Sequence, residues 1–184
     1  MNPFKHAAGC LCCGDLLTQR FGRRALFAVA GAAGLAAAMP APAAAQGNRF
    51  EAMLLSCIDP RFPAPTLEWA RQRNLVGRYS QFSIAGASVG VVAPSFEAWH
   101  RAFWDNLGAS IQLHSITSVV AMNHRDCGAA AIAYGRERVA TRELETETHR
   151  MALQAFRAQM ATRHPSMRVE TGLMELDGSV QIFS

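Results

Sequence analysis

The sequence predicts an α/β fold in which helices flank a mostly parallel β-sheet. Two observations favour it. Segments typical of buried strands alternate with segments of helical periodicity, and two clusters of polar residues each directly follow a strand-like segment. Alternation of this kind is typical of parallel sheets, because parallel neighbours need a crossover between them. The alternating part of this 184-residue chain contains no repeat and no linker, so we expect one domain.

Five segments have the character of strands. The first is largely apolar and ends shortly before Pro60, and the third is rich in β-branched residues. The last two enclose Asp177-Gly178, a dipeptide typical of hairpin turns. The predicted strands are residues 51–57, 81–84, 116–122, 169–176 and 180–183.

Three segments are predicted to be helical. Pro65 suits the first turn of one helix, Ser95 is a candidate cap for the next, and Pro165 ends the last. Apolar residues recur at helical spacing within the second and third segments. The predicted helices cover residues 65–73, 94–111 and 142–163.

The first 45 residues have the pattern of a signal peptide. Arg23-Arg24 precedes a run of small apolar residues at 25–39, and three alanines end the segment at 43–45. The paired arginines resemble a twin-arginine signal, so we expect a periplasmic or secreted protein whose mature domain is residues 46–184. The run is short for a membrane span, and we expect no stable membrane insertion after cleavage; the alternative is an uncleaved amphiphilic anchor.

Charge argues against nucleic acid as a partner. The chain has 18 basic and 14 acidic residues, of which four basic and one acidic residue lie within residues 1–45. The mature domain therefore keeps 14 basic and 13 acidic residues, a net charge of +1. The basic character belongs mainly to the signal, so it does not support nucleic-acid binding.

Cysteine and histidine form the chemically informative pattern. Cys57 and Cys127 are the only cysteines outside residues 1–45, and in an exported protein such a pair is first interpreted as a disulfide. His124 and Cys127 follow a predicted strand, as Cys57 does. Because the carboxyl ends of parallel strands meet at one edge, these residues can converge as a Cys₂His set. Such a set can bind zinc and leave a fourth position open, whereas a structural zinc usually has four protein ligands.

Local geometry makes further predictions about the two motifs. Pro60 pushes Asp59 toward extended backbone, so Cys57, Asp59 and Arg61 are expected on one side of the chain. A guanidinium there could hold the Asp59 carboxylate bidentately. His124 and Cys127 are expected on one face if their turn starts a helix.

Together the two motifs resemble the signature of β-class carbonic anhydrases. Cys-x-Asp-x-Arg at residues 57–61 is followed by His-x-x-Cys-Gly at residues 124–128. The resemblance implies the β-carbonic anhydrase fold, Zn²⁺ as cofactor, and reversible hydration of carbon dioxide to bicarbonate. It also implies a homodimer or higher homo-oligomer. The residue roles that it implies are zinc binding by Cys57, His124 and Cys127 and a catalytic dyad of Asp59 and Arg61.

One stretch departs from the family pattern. Members usually carry Arg-Asn-Ala-Gly-Asn between the two motifs, whereas residues 83–88 keep only Ala85-Gly86. We expect Ala85, Gly86 and Gly128 to contribute to the substrate pocket. Two alternatives remain: hydrolysis of carbonyl sulfide or carbon disulfide at the same metal site, and a non-catalytic module that binds zinc or bicarbonate.

Overall fold

A computed structural model describes residues 50–183, so the predicted signal at residues 1–45 lies outside the described part. The strands are β1 (Ala52–Ser56), β2 (Tyr79–Ser83), β3 (Ser118–His124), β4 (Arg168–Met174) and β5 (Val180–Phe183). The α-helices are α1 (Pro63–Gln72), α2 (Ser88–Val92), α3 (Glu97–His114), α4 (Gly128–Tyr134) and α5 (Arg142–Arg163). Short 3₁₀ helices cover Pro94–Phe96 and Arg136–Val139.

The strands form one sheet in the order β2-β1-β3-β4-β5. The first four are parallel, and β5 pairs antiparallel with β4, which confirms the predicted α/β fold with its mostly parallel sheet. The chain passes from β1 outward to β2 and then returns to β3 on the other side of β1. The direction of winding therefore reverses between β1 and β3, the place where open α/β sheets usually carry their sites.

Apolar side chains cover both faces of the sheet, as expected for buried parallel strands. Met53 and Leu55 of β1 belong to one cluster, whereas Leu54, which points the opposite way, belongs to the other. The first cluster takes its largest buried side chains from α3 and α5: Phe103, Leu107, Leu153, Phe156 and Met160. The second packs α1 against the sheet through Trp69 and Ala70.

Helix boundaries agree with the sequence to different degrees. α5 has the predicted bounds, and the Thr141 hydroxyl caps it by accepting a hydrogen bond from the Leu144 N–H at 3.3 Å. The predicted cap at Ser95 is wrong, because this residue lies in a 3₁₀ turn and its hydroxyl donates to the Ala133 carbonyl at 3.4 Å. Helix α2 has five residues, too few for a periodic pattern, and was not predicted.

Within residues 50–183, no helix combines the length and the apolar character that crossing a membrane requires.

Candidate metal centre

Three potential metal ligands converge where the winding of the sheet reverses. Cys57 directly follows β1, His124 is the last residue of β3, and Cys127 is the N-cap of α4. One ligand atom from each side chain lies within 4.8 Å of the others. The parallel pairing of β1 with β3 accounts for this convergence, since it brings the two carboxyl ends to one edge.

The loop between His124 and Cys127 differs from the expectation of a shared helical face. Asp126 has a left-handed backbone with φ 55°, and Cys127 is extended with φ −83° and ψ 110°. Asp126 therefore interrupts any helical path before α4 begins, and the ligand atoms of His124 and Cys127 nevertheless lie within 4.8 Å of each other. Aspartate tolerates the left-handed region better than most residues.

The ring of His124 is held with one nitrogen free. Its Nδ1–H donates to the Arg125 carbonyl at 2.8 Å, and the Phe62 ring stacks on it at 4.0 Å between centroids. The Nε2 atom is buried and has no hydrogen-bond partner among residues 50–183. Metal-binding histidines typically donate their second N–H to a carbonyl or a carboxylate in this way. A metal at Nε2 would satisfy a buried polar atom that otherwise costs free energy.

Both cysteines are free thiols in the structure, which does not form the disulfide considered as an alternative. The Cys127 thiol, the neighbouring His124 and the Gly86 N–H together lower the pKa of Cys57 to about 4, although burial opposes them. Hydrogen bonding to Cys57 and burial both raise the pKa of Cys127. A thiolate is the form of cysteine that binds metals.

These three side chains suit a zinc ion with three protein ligands and a fourth coordination position left open. Zn–S bonds of about 2.3 Å and Zn–N bonds of about 2.0–2.1 Å place tetrahedral ligand atoms roughly 3.5–3.8 Å apart. The observed cluster needs only a small contraction to reach that spacing. Two thiolates and one imidazole leave a fourth position, as in zinc sites that act on substrates.

Asp59 and Arg61 pair beside this cluster. Arg61 Nε and Nη2 donate to Asp59 Oδ1 and Oδ2 at 3.0 and 2.7 Å. The expected strand alternation is not what brings these two residues together. They lie in a turn, in which the N–H of Phe62 donates to the Asp59 carbonyl at 3.1 Å. The hydrogen bonds from Arg61 lower the pKa of Asp59 to about 2, so this carboxylate is ionised at neutral pH.

Of the three residues predicted for the substrate pocket, Gly86 contacts a cysteine sulfur directly. The N–H of Gly86 donates to Cys57 Sγ at 3.2 Å. Ala85 packs against the apolar cluster that contains Cys127. Gly128 faces open space, because a Cβ placed on it would meet no atom within 4 Å. Whether they contact a substrate stays a prediction.

A buried polar network around Asn123, the residue before His124, was not predicted from the sequence. Asn123 Oδ1 accepts hydrogen bonds from the hydroxyl and the N–H of Ser88 at 2.7 and 3.1 Å. Its Nδ2 donates to His149 Nδ1 at 2.9 Å. His149 is fully buried, and burial lowers its pKa to about 3. The available signal was Asn123 itself, a polar residue inside an otherwise apolar strand.

Two further histidines, His114 and His100, make contacts of their own. His114 Nδ1 lies 2.7 Å from the Ser80 hydroxyl, near the amino end of β2, whereas the Cys57–His124–Cys127 cluster lies at the carboxyl ends of the strands. His114 therefore lies at the wrong end of the sheet to carry protons between the cluster and solvent. His100 Nε2 lies 3.0 Å from the Ala93 carbonyl, so this nitrogen is engaged with the backbone.

Comparison with known proteins assigns the chain to a family. Residues 47–170 match the model of the family described as "Putative carbonic anhydrase". An uncharacterized protein of Rickettsia conorii is 32% identical over 134 residues, which cover 73% of this chain and 72% of the relative. An uncharacterized protein of Rickettsia bellii is 31% identical, with 73% and 82% covered. The chain belongs to this carbonic anhydrase family.

Solved structures agree on the fold. The β-carbonic anhydrase CcaA superimposes with a TM-score of 0.55 at 11% identity, covering 74% of each chain. A β-carbonic anhydrase of Sordaria macrospora, described as tetrameric, gives 0.52 at 12% identity, with 74% of this chain and 81% of that chain covered. The enzyme CafA of Aspergillus fumigatus gives 0.50 at 15% identity, with 74% and 76% covered. The fold is that of the β-carbonic anhydrases.

Proposed function

We propose that this protein catalyses the zinc-dependent, reversible hydration of carbon dioxide to bicarbonate. The observation that carries the proposal is the convergence of Cys57, His124 and Cys127, with the free His124 Nε2 facing into the cluster. Family membership and the β-carbonic anhydrase fold support it. A different fold or a scattered Cys-His-Cys set would have removed its basis.

Cys57, His124 and Cys127 are the residues that would hold the zinc ion. When bound, zinc supplies Lewis acidity, which polarises water enough to provide a nucleophile near neutral pH. The protein's own part is to present two thiolates and one neutral imidazole. The hydrogen bond from Nδ1 to the Arg125 carbonyl fixes the imidazole tautomer that leaves Nε2 unprotonated.

Asp59 would orient the reacting water. Its carboxylate remains ionised because Arg61 donates to both oxygens, so it acts as a hydrogen-bond acceptor throughout the neutral range. An acceptor of fixed position aligns a lone pair of the water oxygen toward the carbon of carbon dioxide. Arg61 would hold the carboxylate and, as a cation, favour the anionic product nearby.

The small side chains around the cluster suit a small, uncharged substrate. Ala85 and Gly86 provide an apolar wall beside Cys57, and Gly128 leaves space beside Cys127. We assign these three residues to the substrate pocket. Arg61 holds Asp59 directly, so the proposed dyad does not depend on polar side chains at residues 83–88.

We also propose that the protein acts as a homodimer or a higher homo-oligomer outside the cytoplasm. The Sordaria macrospora enzymes of similar fold are described as tetrameric, which supports self-association. Export rests on the sequence of residues 1–45, in particular Arg23-Arg24 and the alanine-rich run. A periplasmic or secreted enzyme would act on carbon dioxide and bicarbonate outside the cell membrane.

Stopped-flow hydration of carbon dioxide tests the function. The purified, zinc-loaded protein should hydrate carbon dioxide, and His124→Ala should abolish this activity because it removes the imidazole ligand. His114→Gln is the matched control, since His114 lies at the other end of the sheet and should leave turnover unchanged. Zinc-loaded parent without hydration activity up to about pH 9 would contradict the proposal.

Carbonyl sulfide and carbon disulfide serve as comparison substrates in the same experiment. If the protein hydrolysed one of these compounds and did not hydrate carbon dioxide, the proposed metal site would stand and only the proposed substrate would change. Stoichiometric zinc with no activity on any of the three would instead indicate a binding module.

A further inference from the structure

Arg61 divides its guanidinium between two carboxylates. One edge, Nε and Nη2, donates to Asp59 at 3.0 and 2.7 Å. The other edge faces Asp126, where Nη1 donates to Oδ2 at 2.7 Å and Nη2 donates to the backbone carbonyl at 3.0 Å. Asp126 belongs to the loop between His124 and Cys127. A single guanidinium therefore joins the two sequence motifs.

Asp126 is itself held from behind. Its N–H donates to Glu145 Oε1 at 2.5 Å, and Glu145 belongs to α5. Glu145 is only 9% exposed and pairs with Arg125, which is 4% exposed, at 3.3 Å. Arg125 also pairs with Glu175 at 3.2 Å. A continuous chain of hydrogen bonds thus leads from Glu145 of α5 through Asp126 and Arg61 to Asp59.

We propose that Asp126 is a positioning residue, which fixes Arg61 and, through it, the carboxylate of Asp59. The inference rests on the proposed function, in which Asp59 orients the reacting water. A guanidinium with one bidentate partner can still swing together with that partner, whereas a second partner on its opposite edge anchors both groups. The Asp126 carboxylate is 73% exposed, and exposed ion pairs contribute little to stability. We therefore expect the Asp126 side chain to affect the orientation of Arg61 and Asp59 more than the stability of the fold.

The competing explanation is that Asp126 only serves the turn. Its φ of 55° lies in the left-handed region, where Asn, Asp and Gly are the residues most readily accepted. Asp126→Asn and Asp126→Gly both suit this backbone. Asn keeps an acceptor for Arg61 Nη1, whereas Gly removes it. The two variants therefore separate the side-chain contact from backbone strain, which Asp126→Ala would not.

Kinetics and side-chain NMR test the inference on the zinc-loaded full chain. We expect Asp126→Gly to lower kcat about tenfold, within the range for groups that orient a metal site, with zinc content and KM unchanged. Asp126→Asn should retain most of the parent kcat. In an Arg61→Lys background, Asp126→Gly should add little, because the contact it removes is already lost.

The NMR measurement is the ¹⁵N–¹H heteronuclear NOE of the Arg61 side-chain Nε–H, assigned by its disappearance in Arg61→Lys. It should fall in Asp126→Gly and stay near the parent value in Asp126→Asn. An unchanged NOE in Asp126→Gly would overturn the inference. If the parent is active, a kcat of Asp126→Gly equal to the parent value would also overturn it. If the parent hydrates no carbon dioxide, the proposed function fails, and the NOE alone then decides whether Asp126 positions Arg61.

Discussion

The backbone N–H of Gly86 donates a hydrogen bond to Cys57 Sγ at 3.2 Å, which joins the turn after β2 to the first cysteine of the cluster. The approach depends on glycine in two ways. Its φ is +79°, and a Cβ would lie 2.9 Å from Val89 Cβ and 3.1 Å from Ala129 Cβ. The turn can therefore reach the sulfur only if residue 86 has no side chain.

Gly86→Ala should consequently lower both stability and zinc affinity. We expect a loss of roughly 2–4 kcal/mol in the free energy of unfolding, from backbone strain and overpacking together. Gly77→Ala is the matched control, because Gly77 has φ +77° but no atom within 4 Å of a new Cβ. It should cost about 1 kcal/mol and leave zinc affinity unchanged. Equal effects of the two variants in chemical denaturation and zinc titration would show that packing at Gly86 is unimportant.

Arg61→Ala should leave zinc bound and lower turnover, because it removes the two side-chain donors to the Asp59 carboxylate and leaves only the backbone N–H of residue 61. The pKa of Asp59 is about 2 with Arg61 present, against an ordinary value of 3.8. A lowered acid pKa stabilises the fold above the ordinary value, and that contribution disappears as the pH falls toward the lowered one. Asp59 is therefore ionised at neutral pH in the parent and in the variant.

The turnover deficit of Arg61→Ala should accordingly be the same at every pH from about 6 to 9. Metal analysis and pH–rate profiles of both proteins check this. Parent-like turnover in Arg61→Ala would remove the dyad from the mechanism. A deficit that changes with pH would show that Arg61 acts on a group other than Asp59.

His149 should make the protein less stable in mild acid. Burial, together with the nearby positive charge of Arg125, lowers its pKa to about 3 from 6.5. Between these values the unfolded chain binds the proton more readily than the folded one does, so stability falls as the pH drops below 6.5. The expected slope from this one group approaches roughly 1.4 kcal/mol per pH unit.

His149→Gln removes this titration and keeps an acceptor for Asn123 Nδ2. The slope of unfolding free energy against pH, measured by denaturation between about pH 5 and 7 with zinc in excess, should be smaller in this variant than in the parent. Identical slopes for the parent and His149→Gln would mean that His149 is accessible to protons in the folded protein.

Export by the twin-arginine route can be tested in cells. The form outside the cytoplasm should begin near Gln46, and Arg23→Lys combined with Arg24→Lys should block its transport, because the paired arginines are the recognised feature. N-terminal sequencing and cell fractionation provide the two measurements. Continued export of the double variant would refute the twin-arginine route, and a retained residue 1–45 segment would refute cleavage.

Most of the fold was predictable because it depends on local pattern. The helix at Arg142–Arg163 has clear periodicity and a capping Thr141, and β1 and β3 are largely apolar runs followed by turn residues. Helix α2 was not predictable, since Ser88–Val92 is short and apolar and resembles a strand fragment. Its first N–H, that of Ser88, donates to Asn123 Oδ1, 35 residues away, a contact that no local pattern contains.

The candidate site was predictable to the level of which residues meet. Parallel strands bring their carboxyl ends together, so the order of Cys57, His124 and Cys127 along the chain was sufficient. The geometry within the loops was not, because the left-handed backbone of Asp126 decides it. The bonds from Arg61 to Asp126 and from Asp126 to Glu145 span 65 and 19 residues, and nothing in the sequence pattern pairs them.

The central claim is that Cys57, His124 and Cys127 together bind one zinc ion on which carbon dioxide hydration depends. Titration of metal-free protein with zinc, following hydration activity at each addition, tests it most directly. We predict that activity rises linearly and stops at one zinc per chain, and that Cys57→Ala, His124→Ala and Cys127→Ala each remain inactive and bind little zinc. Activity that is independent of zinc, or stoichiometric zinc binding that survives all three substitutions, would contradict the account.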